Sequence, residues 1–134
     1  MVSLPQAHGR ADSRTSMELF DTTQLGLERA LAGSSRRHTA IASNLANVNT
    51  PGYRRQDVDF ASALQSAWGA GSAAVESIDP VTQADPAAPV RADGNSVDID
   101  TESAAEAKNG LTYQTLSAVL KTRSDILQIA MGVK

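Results

Sequence analysis

Apolar side chains recur at helical spacing in two stretches, one toward each end of the chain. Leu27, Leu31, Ser34, His38, Ile41, Leu45 and Val48 follow one another at alternating steps of four and three residues, which lays them along one narrow seam of a helix. A seam of this kind is half of a helix–helix contact and needs a second helix. Tyr113, Leu116, Leu120, Leu127 and Ala130 supply it, with Arg123 in the intervening seam position and Val119 and Ile126 on its flank. The first helix is predicted over residues 21–48, with Asp21 as cap, Gln24 in the capping-box position, and Phe20 and Leu25 as a hydrophobic staple. The seam is polar at Ser34 and His38, and Gly26 and Gly33 each cost about 1 kcal/mol relative to Ala, so this helix is marginal by itself. It stops near Asn47-Val48-Asn49, because the residue before Pro51 avoids helical backbone and Gly52 can take positive φ. The second helix is predicted over residues 101–131. Asp100 or Ser103 is the cap candidate, Ser103 and Glu106 form a capping-box pair, and Lys121 and Arg123 lie late, as the helix dipole prefers.

Between the two helices the period changes. Residues 53–60 (YRRQDVDF) alternate partially and read as a short extended piece, with a helical turn over residues 61–68. Residues 69–96 carry Gly69, Gly71, Pro80, Pro86, Pro89 and Gly94 among Ala, Ser and Asp, a composition that predicts a mobile surface insert with no core. Val97-Asp98-Ile99-Asp100 alternates again and is expected to lie extended beside YRRQDVDF. Residues 1–16 are polar, broken by Pro5 and Gly9, and read as a flexible extension. The expected fold is mainly α, with long terminal helices packed as a coiled-coil-like pair, short β segments and a flexible middle insert. The segments are 1–16, 17–52, 53–68, 69–96 and 97–134.

Composition sharpens this picture. Of the 134 residues, 41% are nominally apolar, but 22 are Ala, so the larger side chains available for a core are few. A partner surface is therefore expected. The net charge of −3 offers no basic excess to hold a phosphate backbone, which argues against nucleic-acid binding. Cys is absent, removing disulfides, thiolate nucleophiles and cysteine metal clusters. No stretch approaches the roughly 20 apolar residues of a membrane span, and the start of the chain lacks the apolar run of a cleavable signal peptide.

Candidate chemistry is sparse. Asp57/Asp59 and Asp98/Asp100 each place two carboxylates on one face of an extended segment, yet the favoured reading is the solvated side of half-buried strands backed by Val58, Phe60, Val97 and Ile99. His38 reads as a polar member of the helix contact. Arg36-Arg37 and Arg54-Arg55 read as solvated or interface charges, and Trp68, at the edge of the insert, either as its anchor or as a contact to a neighbour. No catalytic residue, cofactor or metal site is expected. A small hydrolase built on the four aspartates and a soluble two-helix adaptor or secretion-associated chaperone are the rival readings; the second shares the seams but needs no special junction after the first helix.

That junction is specific. Ser43-Asn44-Leu45-Ala46-Asn47-Val48-Asn49-Thr50-Pro51-Gly52-Tyr53 resembles the N-terminal signature of flagellar axial proteins of the rod and hook. The following YRRQDVDFASAL, the short chain, and Asn95-Ser96-Val97-Asp98-Ile99-Asp100 leading into Glu102 and Ala107-Lys108-Asn109 are similar to the FlgB family of proximal rod proteins. The likeness runs from Met17 to about Val133, apart from residues 69–96. It implies a structural, non-enzymatic subunit, exported by the flagellar type III apparatus without a cleavable signal and polymerised through its terminal helices into the periplasmic rod of the basal body, where it transmits torque. The partners it implies are other copies, other rod proteins, the adjoining basal-body adaptor and the export gate. Asn44, Ala46, Asn47, Asn49, Thr50, Pro51, Gly52 and Tyr53 would carry the family motif. Leu27, Leu31, His38, Ile41, Leu45, Val48, Tyr113, Leu116, Leu120 and Leu127 would carry the helix seams used in assembly.

Overall fold

The computed structural model describes residues 11–132, with side chains from Thr22 onward. Two long helices dominate, α1 (Ala11–Ala46) and α4 (Ile99–Ala130). Between them lie β1 (Gln56–Asp57), α2 (Phe60–Trp68), α3 (Ser72–Glu76) and β2 (Gln83–Ala84). Over the described residues the protein is mainly helical, with the terminal helices packed together and a single two-stranded sheet. Contacts of Ser34 with Asn109, His38 with Glu106 and Asn44 with Glu102 step up α1 while stepping down α4, so the pair is antiparallel.

Several boundaries differ from the expectation, each for a local reason. Helix α1 begins at Ala11 and runs through Asp21, which therefore does not cap it. Residues 11–20 contain neither Pro nor Gly, so a helix nucleated downstream propagates through them. The remainder of the expected extension, residues 1–10, lies outside the described residues. Helix α4 is capped by Asp98 rather than by Asp100 or Ser103: Asp98 holds extended backbone while its Oδ1 accepts from the Thr101 N–H at 2.7 Å. Ile99 and Asp100 are consequently helical, and the partner of β1 is β2, antiparallel, with Gln56 opposite Ala84 and Asp57 opposite Gln83. Residues near the expected partner still run alongside. The Ser96 N–H donates to the Tyr53 carbonyl (3.1 Å) and Ser96 Oγ accepts from the Arg55 N–H (2.9 Å).

The largest correction concerns residues 69–96, which do hold core. Val75 in α3 is fully buried, Ile78 packs on the cluster of Ala40, Val58 and Phe60, and Pro80 is buried. Composition understated this segment because a few apolar anchors, set between turns, suffice when they land on an existing helix face. The two helix-weakening glycines of α1 explain how α2 sits so close. A Cβ on Gly26 would overlap the Trp68 ring, and one on Gly33 would overlap Phe60.

Candidate functional site

Past the end of α1 at Ala46, the carbonyls of the junction turn lie outside the helical ladder and need donors from elsewhere. Asn95 provides them. Its Nδ2 donates to the carbonyls of Asn47 (2.9 Å), Val48 (3.2 Å) and Thr50 (2.8 Å), while its Oδ1 accepts from the Val97 N–H (2.7 Å). Arg91 adds a further bond to the Val48 carbonyl at 2.7 Å. The turn itself depends on close backbone approach: Gly52, at φ 75°, donates its N–H to the Asp93 carbonyl and lies against Gly94, at φ 81°, where any Cβ would press on Gly52 Cα.

Asn44 fastens this turn to the strand and to α4. Its Nδ2 donates to the Gln56 carbonyl (2.8 Å) and to Glu102 Oε2 (3.0 Å), and its Oδ1 accepts from the Gln56 N–H (2.8 Å) and the Tyr53 hydroxyl (3.3 Å). All four hydrogen-bonding positions of this fully buried amide are thus used. Facing β1, the side chain imitates a neighbouring strand, donating to and accepting from one residue. Tyr53 also meets Ser43 Oγ at 3.1 Å.

A buried charge sits beneath. Glu102 is 0% exposed, and its Oε1 accepts from Arg55 Nε at 2.6 Å. Arg55 Nη1 reaches Asp85 (2.8 Å) and Asp57 (3.5 Å), so one guanidinium joins α4, β1 and the β2 turn. Arg37 donates to the Val58 carbonyl (2.6 Å) and pairs with Asp57 (3.3 Å), tying α1 to the same strand. Partial burial alone would raise the Asp57 carboxyl, but the Val58 N–H and the charges of Arg37 and Arg55 outweigh it and hold the group below its ordinary value. A carboxyl depressed by folding adds stability above its unfolded value of about 3.9 and loses it as pH falls through the folded one. The chain is therefore expected to lose stability on acidification below about pH 4, and Asp57→Asn to flatten that loss, as urea melts on either side of this pH will show.

Of the motif residues, the structure brings Asn44, Asn47, Thr50, Gly52 and Tyr53 into this knot, while Ala46, Asn49 and Pro51 are exposed. Along the helix seam Ile41 is buried and Leu27, Leu31, Leu45, Val48, Leu116 and Leu120 are half-buried, whereas His38, Tyr113 and Leu127 remain exposed. The aspartates do not converge. Asp59 accepts from Ser62, Asp98 caps α4, and no group of three or more metal-ligating side chains occurs among the described residues. No helix of the described residues is long and apolar enough to cross a membrane.

From sequence, Arg55 is a solvated or interface charge, and Asn95, Ser96 and Glu102 enter only through the family likeness; none of the four stands out as a site residue. A signal for Glu102 was present. Extending the second seam toward its N-terminus by steps of four and three passes through Asn109, Glu106 and Glu102, polar residues that meet Ser34 and His38 of the first seam and Asn44 beside it.

Comparison with known proteins falls on the same region. A family model described as "Flagella basal body rod protein" matches residues 27–54, the second half of α1 together with the junction. Over 116 residues the chain is 35% identical to the flagellar basal body rod protein FlgB of Aeromonas hydrophila, covering 77% of this chain and 88% of that one. It is 31% identical over 123 residues to FlgB of Escherichia coli (strain K12), covering 75% and 89%. With FlgB of Cereibacter sphaeroides it shares 34% over 119 residues, covering 81% and 93%.

Proposed function

The chain belongs to the FlgB family of flagellar basal body rod proteins, and we propose that it polymerises through its two terminal helices into the proximal rod and there transmits torque. In this reading it reaches the periplasm through the flagellar type III apparatus, performs no catalysis, and contacts the export gate, the basal-body adaptor and other rod subunits. One observation carries the proposal. The knot fixes the junction end of the α1–α4 pair, yet toward its other end α4 leaves Leu111, Ile126 and Ile129 exposed at 67%, 60% and 76%. A helix apolar on a second face is built to be covered. A non-closing head-to-tail contact between such subunits generates a filament.

Leu45→Asp and Leu120→Asp, each placing a charge in the half-buried seam at a cost of several kcal/mol, are expected to abolish rod assembly. Ile126→Asp separates folding from assembly. Because Ile126 is exposed in the single chain, its replacement should leave the melting temperature nearly unchanged while stopping incorporation into basal bodies. Purified basal bodies probed for the chain, together with swimming assays, read the outcome; normal motility in all three variants would refute the proposal.

A further inference from the structure

We infer that a notch over Gly110 on α4 receives a cationic side chain, arginine or lysine, from a neighbouring subunit; this rests on the rod reading above. Glycine inside a helix is unfavourable relative to alanine, so its presence calls for a reason. Three glycines lie inside the described helices, and for two the reason is internal: Trp68 fills the space at Gly26 and Phe60 that at Gly33. At Gly110 a Cβ would meet nothing within 4 Å. The chain itself leaves that space open.

The surroundings decide what fits. Gly110 lines a concavity of about 340 Å³ with His38, Glu106, Tyr113 and Gln114. Glu106, Gly110 and Tyr113 follow at i, i+4 and i+7 and share one face of α4. The carboxylate is under-compensated: His38 Nδ1 lies 2.8 Å from Oε1, while Oε2 is shielded from solvent and finds no donor among the described residues. An apolar occupant would desolvate that charge further without satisfying it. A cation on an apolar stem answers each feature. Its stem lies across the bare Gly110 backbone, its charge meets Glu106, and the half-exposed Tyr113 ring offers a favourable face.

The test places a photo-crosslinking amino acid at Gln114 of the full chain in cells that build basal bodies, and reads the crosslinked peptides by mass spectrometry. The expected result is a crosslink to another subunit within a residue or two of an arginine or lysine, with a yield that falls about tenfold or more in Gly110→Leu and in Glu106→Gln. Purified Gly110→Leu should melt at or above the parent temperature, since it puts a helix former into open space, so a lost crosslink will not reflect unfolding. Unchanged yield in both variants, or a crosslink centred on apolar residues, overturns the inference while leaving the rod reading standing. Failure of the unsubstituted chain to enter basal bodies overturns both.

Discussion

Replacing Arg55 by Met is expected to destabilise the chain by about 3–5 kcal/mol, a large part of the total stability of a domain this size. Glu102 has no exposure to water, and its charge is held by Arg55 at 2.6 Å and by the Asn44 amide at 3.0 Å. Without the guanidinium the carboxylate keeps one neutral donor in a place that solvent does not reach. The same substitution strips Asp85 of its 2.8 Å side-chain partner, leaving the turn that follows β2 held to β1 by the Asp85 N–H on the Arg55 carbonyl. The cause is the orphaned charge more than the lost attraction, and this is separable. Adding Glu102→Leu to Arg55→Met removes the charge as well, so the double variant should recover most of the loss. Urea denaturation of both proteins decides it: a double variant no more stable than Arg55→Met alone would show that Glu102 is not the source.

The second large effect is expected where α2 meets α1. Phe60 is buried in the cluster with Ala40 and Val58, and Phe60→Ala should cost about 3–5 kcal/mol through lost burial and the cavity left behind. The reciprocal change is diagnostic. Gly33→Ala should cost about 1–3 kcal/mol by overpacking, although alanine is the better helix former, because its methyl would occupy the position of the Phe60 ring. In the Phe60→Ala background the obstacle is gone, and Gly33→Ala should then be neutral or stabilising. A thermodynamic cycle of the four proteins measures this coupling. Additive effects would mean that Gly33 is not there to admit Phe60.

These two sites mark where local reading ends. At Gly33 the sequence shows a residue that weakens a helix, and the compensation comes from a ring far along the chain. At Arg55 it shows a basic doublet of ordinary appearance. Arg54, the neighbour, is exposed, while Arg55 enters the interior because the turn at Gly52 and the β1–β2 pairing aim it at Glu102. No periodicity distinguishes them. Residues 69–96 make the same point in reverse, since their turn-rich composition conceals Val75, Asn95 and Ser96, all buried.

The two long helices, the break at Thr50-Pro51-Gly52 and the family likeness of the junction were all legible in the chain before folding. Each depends on residues close together in the chain, where helical period, proline and glycine act directly on the backbone. That Asp98 caps α4, that β1 pairs with β2, and that Asn44, Asn95, Arg55 and Glu102 close into one knot emerged from packing. Those outcomes depend on which polar groups lose water together, and hydrogen-bond partners as far apart as Asn44 and Glu102 are brought within reach only when the helices pack.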